Sequence, residues 1–311
     1  MRAGFFFKTC ALVVGPALVT FVFATVVKAG DVEAERGRGP GLPAPIRLIS
    51  LVPAITETLF ALGLGERVVG VSTYCDFPPE ARALPKVGTF SEPVAEAIVA
   101  LHPDLVLTSP SPGNESAVRA IERAGVRVAV VQSEGGLAES RSAMLAVADV
   151  VGAKPEGERL LATIDARIEA VRSAASSLEK PRVAVVVGRE PLVLAGPASY
   201  LGELVVLAGG VNVADPVGGR WPRVGLEYLV QSSPQVLVDL SISMGEQDSA
   251  GALFLAWSSI AKVPAIASGR VVGDERSVML RPGPRLGEAA VALATALHPG
   301  FVLPGHEQGD D

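Results

Sequence analysis

Residues that could carry catalysis or hold a metal are few in this chain and lack productive spacing. The three histidines are His102, His298 and His306, and no two of them have the spacing of zinc ligands. No G-x-S-x-G nucleophile motif and no Walker phosphate loop occurs, and no G-x-G-x-x-G motif follows the first predicted strand. The sequence therefore predicts a protein without catalytic residues, a resident cofactor or a metal centre.

The side chains best suited to hold a small molecule are aromatic residues in predicted loops. Aromatic residues make up only 5% of the chain, yet Tyr74, Phe77, Phe90 and Trp221 all fall in loops that follow predicted strands. In open α/β sheets such loops line the ligand-binding crevice. Aromatic walls suit a large, flat, partly apolar ligand, and the alternative is that each ring fills the edge of its own domain.

Short apolar runs alternate with helical stretches from residue 46 onward, which indicates an α/β fold with parallel strands. The predicted strands in the first half are residues 47–51, 68–71, 105–108 and 126–131. Those in the second half are residues 182–187, 192–194, 236–239 and 270–273. Two such sets predict two Rossmann-like lobes. Glu57, near the start of the first predicted helix, is expected to cap that helix.

An uninterrupted helical pattern over residues 155–178 separates the two sets of strands. Apolar side chains recur at helical spacing, at Leu161, Ile164, Ile168 and Val171. At 1.5 Å per residue the helix is about 35 Å long, which exceeds an ordinary crossover in a small lobe. We therefore expect an N-terminal lobe at residues 46–153, a rigid backbone helix at 154–180 and a C-terminal lobe at 181–299.

The two predicted lobes share a local motif. HPDLVL at residues 102–107 aligns with SPQVLV at residues 233–238. Each motif follows a predicted helix that carries a glutamate, Glu96 in the first lobe and Glu227 in the second. The repetition suggests an internal duplication.

The first 29 residues have the composition of an export signal. Arg2 and Lys8 precede an apolar run over residues 10–27, and Ala29 supplies a small residue for cleavage. The run is also long enough to span a bilayer, so an uncleaved N-terminal membrane anchor is the alternative. Residues 30–45, rich in glycine and proline, predict a linker, and residues 300–311 a tail.

The net charge limits the possible partners, and the cysteine content limits the possible disulfides. The formal net charge is −6 and no basic stripe is present, which argues against nucleic acid as a partner. Once residues 1–29 are removed, Cys75 is the only cysteine, so no internal disulfide is expected.

Three stretches resemble a known family, namely ISLVPAITE at residues 49–57, GVSTYCDFPP at 70–79 and IVALHPDLV at 98–106. Together with the long central helix they are similar to the helical-backbone (cluster A-I, class III) substrate-binding proteins of ABC importers, and most closely to the cobalamin-binding group. The likeness runs from about residue 46 to residue 298. It implies two lobes joined by one rigid helix, in a periplasmic protein that delivers a ligand to a permease and its ATPase. A monomer is the simplest expectation for such a carrier.

The resemblance also implies roles for individual residues. Tyr74, Phe90 and Trp221 match aromatic ligand contacts, and Asp274 and Arg281 lie in the loop that supplies polar contacts. A cobalt corrinoid held in the cleft between the lobes is the expected ligand.

Departures from the cobalamin-binding pattern leave other ligands open. SPSP at residues 109–112 replaces an expected aromatic contact, and Phe90 stands where a larger tryptophan is expected. Haem or a ferric siderophore is therefore an alternative ligand. An alternative of another class is a two-lobed enzyme with a bound cofactor, for which only Tyr74 and Cys75 could supply ligands.

The shared glutamates match positions that dock on the transporter in similar proteins. There, one glutamate of each lobe meets arginines of the two permease subunits, and the matching residues here are Glu96 and Glu227. Two carboxylates at a fixed separation suit a symmetric dimer, and such charges set orientation more than affinity. The alternative is that both are ordinary solvated helix residues.

Overall fold

The computed structural model describes residues 25–27, 46–132, 135–241, 256–274 and 277–303. Residues 25–27 form a short strand, β1 (Thr25–Val27), whose backbone pairs in parallel at the edge of the first sheet. The rest of the predicted export signal, the linker at 30–45 and the end of the tail lie outside the described residues.

The first lobe is a parallel sheet flanked by helices. Its strands run in the order β1-β5-β4-β2-β3, and every described pair is parallel. The further strands are β2 (Leu48–Ser50), β3 (Val68–Val71), β4 (Leu105–Thr108) and β5 (Arg127–Val131). The helices are α1 (Pro53–Ala61), α2 (Pro79–Arg82), α3 (Ala95–Ala100), α4 (Glu115–Arg123) and α5 (Leu137–Val150).

A 22-residue helix, α6 (Lys154–Ala175), follows the first lobe and lies close to the span that the sequence predicts. Pro155 stands in its first turn, where the absent amide proton has no intrahelical partner to lose. A Cβ atom on Gly157 would lie 2.5 Å from the Cβ of Ala148, so the glycine lets α6 approach α5 closely. None of the described helices is long and apolar enough to cross a membrane.

The second lobe is a mixed sheet in the order β10-β9-β6-β7, with β8 also paired to β6. Among its described pairs only β6 and β7 are antiparallel. The strands are β6 (Arg182–Arg189), β7 (Leu192–Leu194), β8 (Val211–Asn212), β9 (Val236–Asp239) and β10 (Val271–Gly273). The helices are α7 (Tyr200–Leu207), α8 (Leu226–Ser232), α9 (Pro264–Ala267) and α10 (Leu286–Leu297).

Both faces of each sheet are covered by helices. In β6, Val183 and Val185 join the core that includes α6, α7 and α10, whereas Ala184 and Val186 join the core on the opposite face. A strand buried on both sides is apolar at every position rather than at alternate ones. This explains the continuous apolar runs from which the strands are predicted.

The motif shared by the two lobes has the same backbone geometry in both. His102 follows α3 with φ of 49°, and Ser233 follows α8 with φ of 45°. A left-handed conformation is uncommon for residues other than glycine, so its recurrence at equivalent positions is specific. In each lobe a proline and a central strand follow, β4 in the first and β9 in the second.

An arginine at the start of each lobe holds this motif in place. Arg47 donates from Nη2 to a carbonyl at the end of α3 at 2.7 Å, and Arg182 donates from Nε to a carbonyl at the end of α8 at 2.8 Å. The side chains of Asp104 and Gln235 accept the backbone amides of these two arginines, each at 2.9 Å. The repeated contacts agree with an internal duplication.

Candidate ligand-binding site between the lobes

Tyr74 and Phe90 form an aromatic pair on the first lobe. Their ring centroids are 6.0 Å apart and their planes are inclined at 57°. Tyr74 is 48% exposed and Phe90 is 38% exposed. The backbone beneath them is fixed, because the Thr73 amide donates to the Gly88 carbonyl at 2.9 Å and Asn114 Nδ2 donates to the Phe90 carbonyl at 3.2 Å. Two exposed rings on an ordered backbone provide an apolar surface for a ligand.

Trp221 and Tyr200 form an aromatic pair on the second lobe. Their centroids are 6.3 Å apart in an edge-to-face arrangement of 79°. Trp221 is 40% exposed, whereas Tyr200 is buried and donates from its hydroxyl to the Met279 carbonyl at 2.8 Å. Burial raises the pKa of the Tyr200 phenol, so it stays a neutral hydrogen-bond donor. Trp221 is therefore partly exposed, and the buried Tyr200 supports it from within the lobe.

The loop between β10 and α10 supplies polar groups to the same region. Asp274 is buried and accepts the backbone amides of Val278 and Met279 at 3.0 and 2.7 Å. These bonds shape the loop that contains Arg281. Because the Met279 carbonyl also receives the Tyr200 hydroxyl, the loop is tied to the second aromatic pair.

Glu57, Arg281 and Arg285 form a charged contact between the lobes. Arg285 donates from Nε and Nη2 to the two carboxylate oxygens of Glu57 at 2.8 and 2.7 Å, and Arg281 Nη1 adds a bond of 3.1 Å. Glu57 is only 2% exposed and Arg285 is 5% exposed. The expected capping role of Glu57 is wrong, because the residue lies beyond the first turn of α1 and its carboxylate meets the other lobe.

Arg281 and Arg285 also hold the loop that carries Tyr74. Arg281 Nη1 lies 2.5 Å from Asp76 Oδ1, and its Nη2 donates to the Tyr74 carbonyl at 3.3 Å. The guanidinium carbon of Arg285 lies 4.1 Å from the centre of the Phe77 ring. Partial burial acts to raise the pKa of Asp76, but the hydrogen bond and charge of Arg281 lower it overall.

A second contact joins the lobes at the start of α5. The Tyr200 amide donates to the Gly135 carbonyl at 3.1 Å, and the Leu137 amide donates to Glu203 Oε2 at 3.3 Å. A carboxylate at the amino end of a helix is favourable because the helix dipole is positive there. Since Tyr200 also packs against Trp221, the second aromatic pair adjoins this contact.

A buried polar network lies at the carboxyl ends of β6 and β9. Asp239 is fully buried and accepts hydrogen bonds from Arg189 Nε at 2.8 Å, Trp257 Nε1 at 2.8 Å and Ser241 Oγ at 2.6 Å. The bonds satisfy a carboxylate that would otherwise be costly to bury. Trp257 is thus fixed in the second lobe, in contrast to the exposed Trp221.

A cavity of about 650 Å³ opens beside the charged contact. Its walls include Phe60, Phe77 and Leu84, together with Glu57 and Arg285. None of the four rings of the two aromatic pairs lines it. The cavity is therefore distinct from the aromatic surfaces that the sequence predicts to contact a ligand.

Glu96 and Glu227 occupy equivalent positions in the two lobes. Each is the second residue of its helix, α3 or α8, and each is exposed. Neither forms an ion pair with any residue in the described part of the chain. Both carboxylates are therefore accessible to a partner.

Cys75 is packed in the core of the first lobe. Thr56 Oγ1 donates to its Sγ at 3.1 Å, and Ser72 Oγ lies 3.2 Å from the same atom. Burial raises the pKa of the thiol, which keeps it protonated. Across the residues that the structure describes, no group of three histidine, cysteine, aspartate or glutamate side chains could hold a metal ion.

The structure brings together only some of the predicted site residues. Tyr74 contacts Phe90 and Arg281 directly, and Asp274 shapes the loop of Arg281. Trp221 is linked to the same loop through Tyr200, a residue that the sequence pattern does not mark as part of a site. Glu57 and Arg285 were also missed as a pair, because no local pattern links residues 228 positions apart.

Comparison with known proteins identifies the family. The family model described as periplasmic binding protein matches residues 48–277. The vitamin B12-binding protein of Pectobacterium carotovorum subsp. carotovorum (strain PC1) is 30% identical over 266 residues, covering 82% of this chain and 91% of that protein. An uncharacterized ABC transporter substrate-binding lipoprotein of Bacillus subtilis (strain 168) is 28% identical over 261 residues, covering 82% and 81%.

A solved structure gives the same result for the fold. The periplasmic heme-binding protein from Roseiflexus sp. RS-1 superposes with a TM-score of 0.71 at 31% identity, over 81% of this chain and 97% of that one. The predicted two-lobed α/β fold class and the resemblance are thereby confirmed, whereas the rigidity of the long helix stays a prediction. Members of the family take a small-molecule ligand outside the cytoplasm and work with a permease. The chain belongs to the periplasmic binding protein family, as an extracytoplasmic ABC-transporter substrate-binding protein rather than an enzyme.

Proposed function

We propose that the chain binds a corrinoid between its lobes and delivers it to the permease and ATPase of an ABC importer. The observation that carries the proposal is the placement of partly exposed aromatic side chains on both lobes, Tyr74 and Phe90 on the first and Trp221 on the second, next to the loop of Asp274 and Arg281. Flat apolar side chains suit a large macrocycle better than a small polar solute. The 30% identity to a vitamin B12-binding protein supports the same ligand class.

Within this site Tyr74, Phe90 and Trp221 supply the aromatic contacts. Their exposed faces leave apolar area that a ring system can cover. Asp274 and Arg281 belong to the loop before α10, which forms the polar side of the site.

The delivery step uses Glu96 and Glu227, whose exposed carboxylates meet basic groups on the permease. We further propose that residues 46–153 and 181–299 act as separate lobes on the backbone helix at 154–180. The carrier is a monomer, and residues 1–29 are either cleaved after export or retained as a membrane anchor, with 30–45 as the linker.

Haem is the second candidate ligand. The Tyr74 hydroxyl forms no hydrogen bond with another described residue, and the Tyr74 side chain is nearly half exposed. A phenolate is a known axial ligand of haem iron. The heme-binding protein from Roseiflexus, at 31% identity, supports this alternative.

Calorimetric titration with cyanocobalamin, haemin and a ferric hydroxamate siderophore tests the proposal. We expect saturable one-to-one binding of cyanocobalamin with quenching of Trp221 fluorescence. Preferential binding of haemin, with a Soret band that is lost in Tyr74→Phe, would support the second candidate. Absence of binding by all three probes, in protein that is folded by circular dichroism, would refute the assignment of the cleft.

A further inference from the structure

We infer that Glu57, Arg281 and Arg285 form an inter-lobe cluster that positions the ligand-contacting loop of Tyr74, so that Arg281 serves the site through Tyr74. For the identity of the ligand this inference rests on the proposed function. The loop concerned is residues 72–78, called here the Tyr74 loop.

The cluster contacts three residues of the Tyr74 loop. Arg281 binds the Tyr74 carbonyl and the Asp76 carboxylate, and Arg285 stacks on the Phe77 ring. Both arginines belong to the second lobe, so the position of a first-lobe loop depends on contacts made across the cleft. The loop is contacted at the Tyr74 carbonyl, the Asp76 carboxylate and the Phe77 ring, so its exposed tyrosine has little freedom to reorient.

The guanidinium groups of both arginines donate to protein acceptors in these contacts. Arg281 is largely buried and its two terminal nitrogens bind Glu57, Asp76 and the Tyr74 carbonyl. Arg285 makes a two-point bond to Glu57, the geometry in which arginine and carboxylate bind most strongly. A ligand anion would therefore have to break protein contacts to reach either arginine, which favours positioning over direct ligand contact.

Glu57 holds the cluster together from the first lobe. It is buried in α1 and is the acceptor that both arginines share. The backbone also approaches closely here, since a Cβ on Gly283 would lie 3.4 Å from Ala54 at the start of α1. Removal of one partner from a buried ion pair leaves an uncompensated charge, so the members are expected to act as a unit.

Hydrogen–deuterium exchange on the ligand-free full chain tests the inference. In Arg281→Gln, amides of the Tyr74 loop should exchange about tenfold faster, because local opening there no longer breaks the inter-lobe bonds. Exchange in β6 and β9 should stay unchanged. Arg281→Lys, which keeps the charge and can reach one acceptor, should restore part of the protection. Arg172→Met, which removes an exposed ion pair with Glu169 on α6, is the matched control and should change nothing in the loop.

The affinity for cyanocobalamin should fall about tenfold in Arg281→Gln, in step with the loss of loop protection. Weaker binding with an unchanged Tyr74 loop would overturn the inference, because Arg281 would then contact the ligand itself. Faster exchange throughout the protein would also overturn it, since the cluster would then serve stability alone. If cyanocobalamin does not bind the unmodified protein, the proposed function fails, and the exchange of the loop still decides this inference.

Unit behaviour of the cluster is tested with Glu57→Gln, Arg285→Met and the double variant. In the double variant, amides of the Tyr74 loop should exchange no faster than in the single variant with the faster exchange. Additive increases would contradict a single cluster. Arg281→Gln and Arg281→Lys keep the test decisive should either Glu57 or Arg285 variant fail to fold.

Discussion

Replacement of Trp221 with alanine should weaken ligand binding by about 60-fold. Trp221 retains 40% of its accessible surface in the structure. A tryptophan can bury about 250 Å², so a flat ligand that covers the exposed face removes about 100 Å² from water. At about 25 cal/mol per Å² this area contributes about 2.5 kcal/mol. Since about 1.4 kcal/mol corresponds to a tenfold change in the dissociation constant, the loss is about 60-fold.

Isothermal titration calorimetry with cyanocobalamin measures this effect directly. Trp221→Phe should lose less affinity than Trp221→Ala, because phenylalanine keeps part of the ring area. Leu178→Ala is the control, since Leu178 is a partly exposed apolar residue next to α6 and outside both aromatic pairs. An affinity of Trp221→Ala within about twofold of the unmodified protein would refute a ligand contact at this ring.

Two further predictions concern delivery and the buried thiol. Glu96→Arg combined with Glu227→Arg should abolish ligand uptake in cells, while the ligand affinity of the purified protein stays unchanged. Both residues are exposed and separate from the aromatic pairs. Uptake at the level of the unmodified protein would reject the docking role. Cys75 should react with iodoacetamide at least about tenfold more slowly in native protein than in urea, because it is buried and its pKa is raised. Peptide mass spectrometry separates Cys75 from Cys10, and equal rates in the two states would contradict the packing of Cys75.

The sequence was sufficient to predict the fold because the relevant signals are local. Apolar runs bounded by glycine and proline predict the strands within a few residues, as for β3 and β4. The uninterrupted helical pattern predicts α6, which begins one residue before the expected start and ends three before the expected end. The repeated proline motif predicts that the two lobes resemble each other. His102 and Ser233 agree with this, because both have a left-handed backbone conformation at equivalent positions.

The site was harder to predict because its main contacts join distant parts of the chain. Glu57 has the sequence context of a helix start, and only the tertiary structure brings Arg285 to its carboxylate. Tyr200 supports Trp221 from a helix that the apolar pattern marks simply as core. Arg281 was selected by resemblance, and its partners Asp76 and Glu57 carry no local sign of the pairing.

The described chain passes from one lobe to the other once, through α6. This affects the order in which the two lobes fold. The strands β2 to β5 come from one contiguous stretch and β6 to β10 from another, so each sheet closes with comparatively local contacts. Chains of this kind tend to fold one unit at a time, with the amino-terminal unit first. The strands β2 to β5 can therefore pair before the second half of the chain is available. The bonds between Glu57 and Arg285, which span 228 positions, then form late, when two finished halves dock.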